Sequence, residues 1–534
     1  MTIHPIDLAI IVFYMVAITV TGLISARKQT HTSSGYFLAG RSLRWPMIGM
    51  ALFATNISTV HLVGLAADGY RVGLVIGNFE WMATMCLVLL GLVFAPFYFH
   101  SGIATLPDYL EKRYGPGSRT VLAFMAVVGA LFIHIGMSLY AGSAIFEHFF
   151  GISVFWSIFI ISAVTALYTV LGGLKAVVVT EAIQTVLLLL GALAVTGFGV
   201  LALRDRGIDS YAAFSQAVRP RQLNMLHPDG EMAWYSMFLG YPVLGIWYWC
   251  ADQTIVQRVL GAKTKADAQI GPIFAGFIKI LPVFVMVFPG VIAYVLFQDK
   301  IGVKFNDALP TLVDELIPVG LKGLIAAGLL AALMSTVAGA LNSTSTLVCI
   351  DIVKKLKPDV GDAALVLIGR ITACVVMVLA MAWSTQGGRF ESIFTGINAM
   401  IACLAPPITV VFLWGVFWSR GTKQASLATL LVGFALGAIT FSLDLPLVGD
   451  KKVFTDVLGI PFMLQAWWLF CICSVLFVTV SLFTPRPARE QIEGLCWENP
   501  FAAIFSERLT GITDPRIPAL VLVCVMVFLY WNFA

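Results

Sequence analysis

Charge is scarce in this sequence. Asp, Glu, Lys and Arg make up 12% of its 534 residues, against roughly 25% in ordinary soluble domains. Mean hydropathy is +0.91 and 59% of residues are hydrophobic, which excludes a soluble enzyme and a disordered chain. The net charge of +4 is spread along the chain with no long basic block, so nucleic acid is excluded as a partner. Nine cysteines are present and no pair has zinc spacing. Cys86, Cys250, Cys349, Cys374, Cys403, Cys471, Cys473 and Cys524 sit in apolar runs as small hydrophobes, and Cys496 sits in a polar loop. Neither HExxH nor GxSxG occurs, so no enzyme motif is in evidence. The longest polar stretches, 204–231, 298–319 and 485–514, are too short for a catalytic domain.

What the sequence has in abundance is apolar runs of spanning length. A helix that crosses a bilayer needs about 20 apolar residues. Such runs lie at 6–26, 46–70, 74–99, 120–147, 152–171, 177–203, 232–257, 268–297, 320–352, 363–384, 390–418, 424–443, 461–484 and 515–533, which predicts about fourteen spans. The first lacks a basic n-region and a clear cleavage site, so it reads as a retained helix. With the N-terminus outside, 21 Lys and Arg fall in inside loops and 11 in outside loops. That bias predicts both termini outside a plasma or inner membrane. The segment 101–119 reads as a short interfacial helix followed by a Gly/Pro turn.

Ionisable residues inside spans carry the functional signal, because each costs about 2.5–3.5 kcal/mol on insertion scales and needs a partner or a wet cavity. They are His61, Asp68, Glu80, His134, Glu181, Asp252 and Lys279. The second span reads Ala54-Thr55-Asn56-Ile57-Ser58-Thr59-Val60-His61 at its middle, where Asn, Ser and Thr compete with the helix for backbone groups. A helix broken there frees carbonyls such as those of Ala54 and Ile57, which must line a cavity or bind a cation. Ser335 and Thr336 put hydroxyl oxygens at the middle of 320–352. Hydroxyls of this kind also serve plain helix packing. The third anomaly is Trp247-Tyr248-Trp249-Cys250-Ala251-Asp252-Gln253, with Pro242 and Gly245 upstream as candidate breakers. The runs 46–203 and 232–418 each hold five spans and each opens on an interrupted helix, a pattern that points to a secondary transporter site.

These residues resemble the sodium/solute symporter family, most closely its sodium–glucose cotransporter branch. The matching stretches are Tyr36-Phe37-Leu38-Ala39-Gly40-Arg41-Ser42-Leu43, Asn56-Ile57 with His61, Phe79-Glu80-Trp81, Gly172-Gly173-Leu174 through Thr180 and Gln184, Trp247-Tyr248-Trp249-Cys250 with Asp252-Gln253 and Gln257-Arg258, Lys279, Asn342-Ser343, and Pro406-Pro407. The resemblance covers roughly 36–420. It implies an all-α polytopic membrane protein with LeuT-like inverted five-helix repeats: an extra helix in 1–35, a first repeat in 36–203, an extracellular loop at 204–231, a second repeat in 232–420 and three extra helices in 421–534. It also implies a transporter rather than an enzyme, one that moves a neutral sugar of the glucose or galactose type inward with sodium.

The resemblance places the sugar against Asn56, His61, Glu80, Tyr248, Trp249 and Lys279. It places the sodium ion on the carbonyls of Ala54, Ile57 and Ala332 and the hydroxyls of Ser335 and Thr336. Two departures stand out. Ala338 and Gly339 stand where two-sodium members have hydroxyl residues, and Glu181 stands where they have aspartate, so one sodium per sugar is expected. Asn398 stands where glucose and galactose carriers usually have glutamine, which leaves the exact sugar open. Another solute such as inositol or a monocarboxylate, and a sensor that does not transport, remain as alternatives. The partners implied are a small sugar, Na+ and the lipid bilayer.

Overall fold

The computed structural model describes residues 4–27, 32–230, 232–385, 393–444, 453–499, 501–505, 511 and 513–534. Lys28, Arg389, Lys451, Lys452 and Arg508 of the charge count, and the first residues of the expected span at 390–418, lie outside the described residues. Among the described residues no strand occurs, only isolated bridges at Leu43–Ala262 and His227–Ala233.

The principal helices are α1 (Pro5–Ala26), α2 (Trp45–Asn56), α3 (Thr59–Val72), α4 (Leu74–His100), α5 (Leu106–Tyr114), α6 (Pro116–Ser143), α7 (Val154–Asp205), α8 (Trp234–Ile246), α9 (Gln253–Leu260), α10 (Lys265–Ile301), α11 (Leu321–Leu356), α12 (Asp362–Ser384), α13 (Ile393–Phe417), α14 (Lys423–Leu443), α15 (Phe462–Phe483) and α16 (Arg516–Phe533). Among the described residues eleven helices are long and apolar enough to cross a membrane, or twelve with α2 and α3 taken as one bent span. The expected fourteen further counts α7 as two spans and the interrupted segment α8–α9 as one. At 1.5 Å per residue, α7 is about 78 Å long, more than twice a bilayer core of about 30 Å. It turns at Gly173 (φ 60°, ψ −160°). Only glycine fits there, since a Cβ would meet the Tyr36 carbonyl oxygen at 2.5 Å.

Local chemistry sets the helix boundaries. Thr105, Asp252 and Thr422 accept backbone N–H bonds at the starts of α5, α9 and α14, caps worth about 0.5–2 kcal/mol each. Packing places α11 at the centre, with its spanning window 94% buried against 17% for α16. α7 runs along α11, and α1 lies on both. Large side chains such as Phe13, Trp468 and Phe528 point outward into the apolar surroundings, as lipid-facing residues do. α3 and α10 approach backbone to backbone: a Cβ on Gly69 would lie 2.2 Å from the Val287 oxygen, and one on Gly290 would lie 1.9 Å from the Ala66 oxygen. Small residues permit that approach in spanning helices.

Arg113, Arg119 and Arg258, counted among the basic residues of the inside loops, are buried among their neighbours. Arg113 donates to the carbonyls of Gly415, Trp418 and Gly421. Arg119 pairs with Asp351 and Glu111, and Arg258 pairs with Glu181. A guanidinium has five donors and tolerates burial when all find acceptors, which composition alone does not reveal. Glu111 on α5 also receives Lys355 at 2.7 Å. Burial pushes its carboxyl up, but the bonds from Lys355 and Arg119 outweigh it and hold the group below the usual carboxylate range.

Candidate functional site

The site begins where α2 stops. Ile57 N–H still bonds Phe53 O at 3.0 Å, but Ile57 (φ −78°, ψ 99°) and Ser58 (φ −92°, ψ 172°) are extended. The chain then restarts as α3, bent by 61° from α2. Ser58 caps α3 in a reciprocal box with His61, whose Nδ1 accepts the Ser58 N–H at 3.3 Å. Because Nδ1 accepts, the ring carries its proton on Nε2. The Ser58 N–H, which an unbroken helix would give to Ala54 O, is thereby withdrawn.

α11 supplies the replacement. Ser335 Oγ lies 2.8 Å from Ala54 O and 2.9 Å from Ala332 O. Thr336 Oγ1 lies 3.1 Å from Thr55 O and 3.2 Å from Ala332 O. Four of the five sequence-named cation ligands therefore converge. Ile57 sits at the break itself, and Thr336 reaches the carbonyl of Thr55 rather than that of Ile57. The donor set is all neutral oxygen, which suits a hard monovalent cation.

A cavity of about 830 Å³, open space at its mouth included, adjoins this junction. Asn56, His61, Glu80, Tyr248, Trp249 and Asn398 line it, and so does Thr336. Lys279 does not line it. Its side chain is 1% exposed and its ammonium lies behind the wall, paired with Glu80, 2.5 Å from Asn56 Oδ1 and 5.6 Å from the Trp249 ring centroid. Tyr248 and Trp249 meet edge to face at 5.2 Å. The lining thus sets a paired charge and an amide beside aromatic faces.

Sequence reasoning left out Ser58, Phe79, His134, Ser138 and Tyr241, which also line the cavity. His134 and Asp252 are both among the intramembrane ionisable residues, but their pairing is not legible in the sequence. His134 Nε2 lies 2.8 Å from Asp252 Oδ2, a partner 118 residues away. Tyr241 was within reach of periodicity: it shares a helix face with Tyr248 seven residues on, and its hydroxyl donates to Phe79 O at 2.8 Å. The expected break at Pro242 and Gly245 is displaced. Both residues stay inside α8, the chain passes through a π-helical turn at Trp247–Ala251, and the break falls at Asp252 (φ −90°, ψ 124°). In a spanning helix, neighbours absorb a proline, so it was a poorer guide than the N-capping aspartate.

Interrupted helices flanking a buried cavity are the arrangement of LeuT-like secondary transporters. The likeness to solved structures agrees on the fold. A Na+-coupled sialic acid symporter in a substrate-bound outward-open state matches with a TM-score of 0.77 and 19% identity, over 91% of this chain and 99% of that one. Mhp1, a nucleobase-cation-symport-1 family transporter, matches at 0.54 and 15% identity, over 87% and 99%. The sequence profile of the sodium:solute symporter family matches residues 36–433, and the chain belongs to that family. It is 34% identical to sodium/glucose cotransporter 1 of Ovis aries over 92% of this chain and 80% of that protein. It is 35% identical to the sodium/mannose cotransporter SLC5A10 of Bos taurus over 99% and 97%, and 34% identical to the Homo sapiens sodium/myo-inositol cotransporter over 91% and 74%. The chain is a multi-pass membrane protein and a sodium-coupled solute symporter, not an enzyme.

Proposed function

We propose that this symporter carries a neutral sugar of the glucose or galactose type inward, together with one sodium ion, by alternating access in a plasma or inner membrane. The observation that carries the reading is the Glu80–Lys279–Asn56 cluster at the cavity wall. Its charges cancel, so the wall offers donors and acceptors to hydroxyls without a net charge to hold a carboxylate. Tyr248 and Trp249 supply the apolar cover for a ring. Relatives named for glucose, mannose and myo-inositol all take polyhydroxylated solutes.

Sodium binds on the carbonyls of Ala54, Ile57 and Ala332 and the hydroxyls of Ser335 and Thr336. The single-ion reading is supported by Arg258. A Cβ on Gly339 would lie 2.4 Å from its Nη2, and the guanidinium pairs with Glu181, so a protein cation fills the ground where a second ion would need ligands. Residues 36–203 and 232–420 act as the two inverted units, 204–231 as an extracellular loop, 1–35 and 421–534 as added helices, with fourteen spans and both termini outside. A tenfold sodium gradient is worth about 1.4 kcal/mol and 100 mV adds about 2.3 kcal/mol per charge. Together these support roughly 500-fold accumulation with one ion.

Sodium-gradient uptake in proteoliposomes tests this with labelled glucose, galactose, mannose, myo-inositol, pyruvate and proline. Glucose or galactose is expected to accumulate only with the gradient, and reversal potentials are expected to give one sodium per sugar. Sodium-independent uptake, or accumulation of pyruvate or proline in place of a sugar, overturns the reading. A ratio of two overturns the single ion.

A further inference from the structure

The back of the cavity wall is held by a helix outside the ten-span core. We infer that Tyr530 of α16 is a positioning residue for the sugar site, acting through Asn78 and Trp81. This inference rests on the sugar reading of the Glu80 cavity.

Glu80 lies in the first turn of the regular part of α4, between Asn78 and Trp81. Asn78 is 1% exposed and all its side-chain atoms are engaged. Its Nδ2 donates to Val75 O at 2.8 Å and to Met225 O at 2.6 Å in the 204–231 loop. Its Oδ1 accepts the Tyr530 hydroxyl at 2.8 Å. Trp81 is fully buried, and its Nε1 donates at 3.2 Å to the carbonyl of Ile280, the residue after Lys279. The α4–α10 interface is thus tied twice at one level: Glu80 to Lys279 on the cavity side, and Trp81 to Ile280 on the far side. The ring of Tyr530 covers that far side, 5.4 Å from Trp81 and near perpendicular to it at 79°. Phe533 adds a second contact to Trp81 at 5.9 Å, and its carbonyl accepts the Met225 N–H at 2.6 Å.

Buried side chains fastened on both sides cannot shift independently. The register that lets Glu80 meet Lys279 and Asn56 therefore depends on how α16 seats against α4 and α10. The cation ligands lie on α2 and α11, which α16 does not touch through these residues. Tyr530 is thus expected to set sugar affinity and leave sodium affinity alone.

The test compares Tyr530→Phe, Asn78→Ala, the double variant and the outward-facing control Trp531→Leu in proteoliposomes, using whichever of glucose, galactose, mannose or myo-inositol the parent accumulates best. Sodium binding without sugar is read by calorimetry. Losing one buried hydrogen bond is expected to raise the half-saturating sugar concentration about 2- to 10-fold in Tyr530→Phe. Asn78→Ala is expected to match or exceed that rise, the double variant to fall short of the product of the two, and sodium binding and the control to stay at parental values. A parental sugar constant in Tyr530→Phe overturns the inference, and so does a sodium constant that moves in step with the sugar constant, since that marks general loosening. A parent that accumulates none of the four solutes overturns the sugar reading instead.

Discussion

Two of the ion pairs buried in this bundle differ in what surrounds them. Arg258 and Glu181 are both 0% exposed, and they close on themselves: Arg258 also reaches Thr254 O, and Thr55 Oγ1 donates to Glu181 Oε1 at 2.7 Å. Lys279 and Glu80 are as deeply placed, but Glu80 and Asn56 face an open cavity. Both pairs bear the cost of removing charge from water. The planar guanidinium uses its fork to fill space, whereas the compact ammonium holds a carboxylate and an amide at the cavity's edge. Burial and charge alone therefore do not distinguish the two pairs. Of the two, the Glu80 pair is the one beside the cavity.

The largest expected effect breaks each pair in turn. Glu80→Gln and Glu181→Gln each leave a buried cation without its anion, a loss of about 3–5 kcal/mol. In Glu80→Gln the loss is expected in transport, at least about 100-fold in kcat/KM for sugar, with protein reaching the membrane. In Glu181→Gln it is expected in the folded protein, as reduced abundance and thermal stability. A Glu181→Gln protein of parental stability that fails to transport contradicts the contrast.

Thr336→Val comes next and probes the oxygen cluster between the two pairs. Removing one oxygen at constant shape is expected to raise the half-maximal sodium concentration about 5- to 100-fold, measured by sodium titration of uptake. A parental titration places the ion elsewhere. Asn398→Gln is the smallest change. It extends a polar group into the cavity by one methylene, and it is expected to shift the ranking of sugars by about 2- to 10-fold in competition assays. An unchanged ranking means that Asn398 does not read the solute.

Local side-chain chemistry makes part of this site legible in the sequence. Asn56, Ser58 and their neighbours disfavour an uninterrupted helix through their own side-chain chemistry, so the first break was readable from local sequence. Ser335 and Thr336 stood out because hydroxyls are conspicuous in a span. Lys279 was identified as part of the site, yet its place behind the wall was not, because depth within a bundle depends on neighbours rather than on its own segment. Asp252 stood out as an intramembrane carboxylate, but its role as the cap at the break and its tie to His134 stayed hidden for the same reason, since both depend on where a partner 118 residues away lies. The seat of α16 left no trace in its own apolar run, which would pack equally well against many surfaces.

The glycine contacts between α3 and α10 have a mechanical consequence. With Gly69 and Gly290 each pressed against the other helix's main chain, no side-chain layer remains to slip, so α3 and the C-terminal half of α10 are held as one rigid pair that starts at the joint Ile57–Ser58. With sodium and sugar bound as proposed, that pair would link the carbonyl of Ala54 to the stretch that follows Lys279, and the two ligands would be coupled without touching.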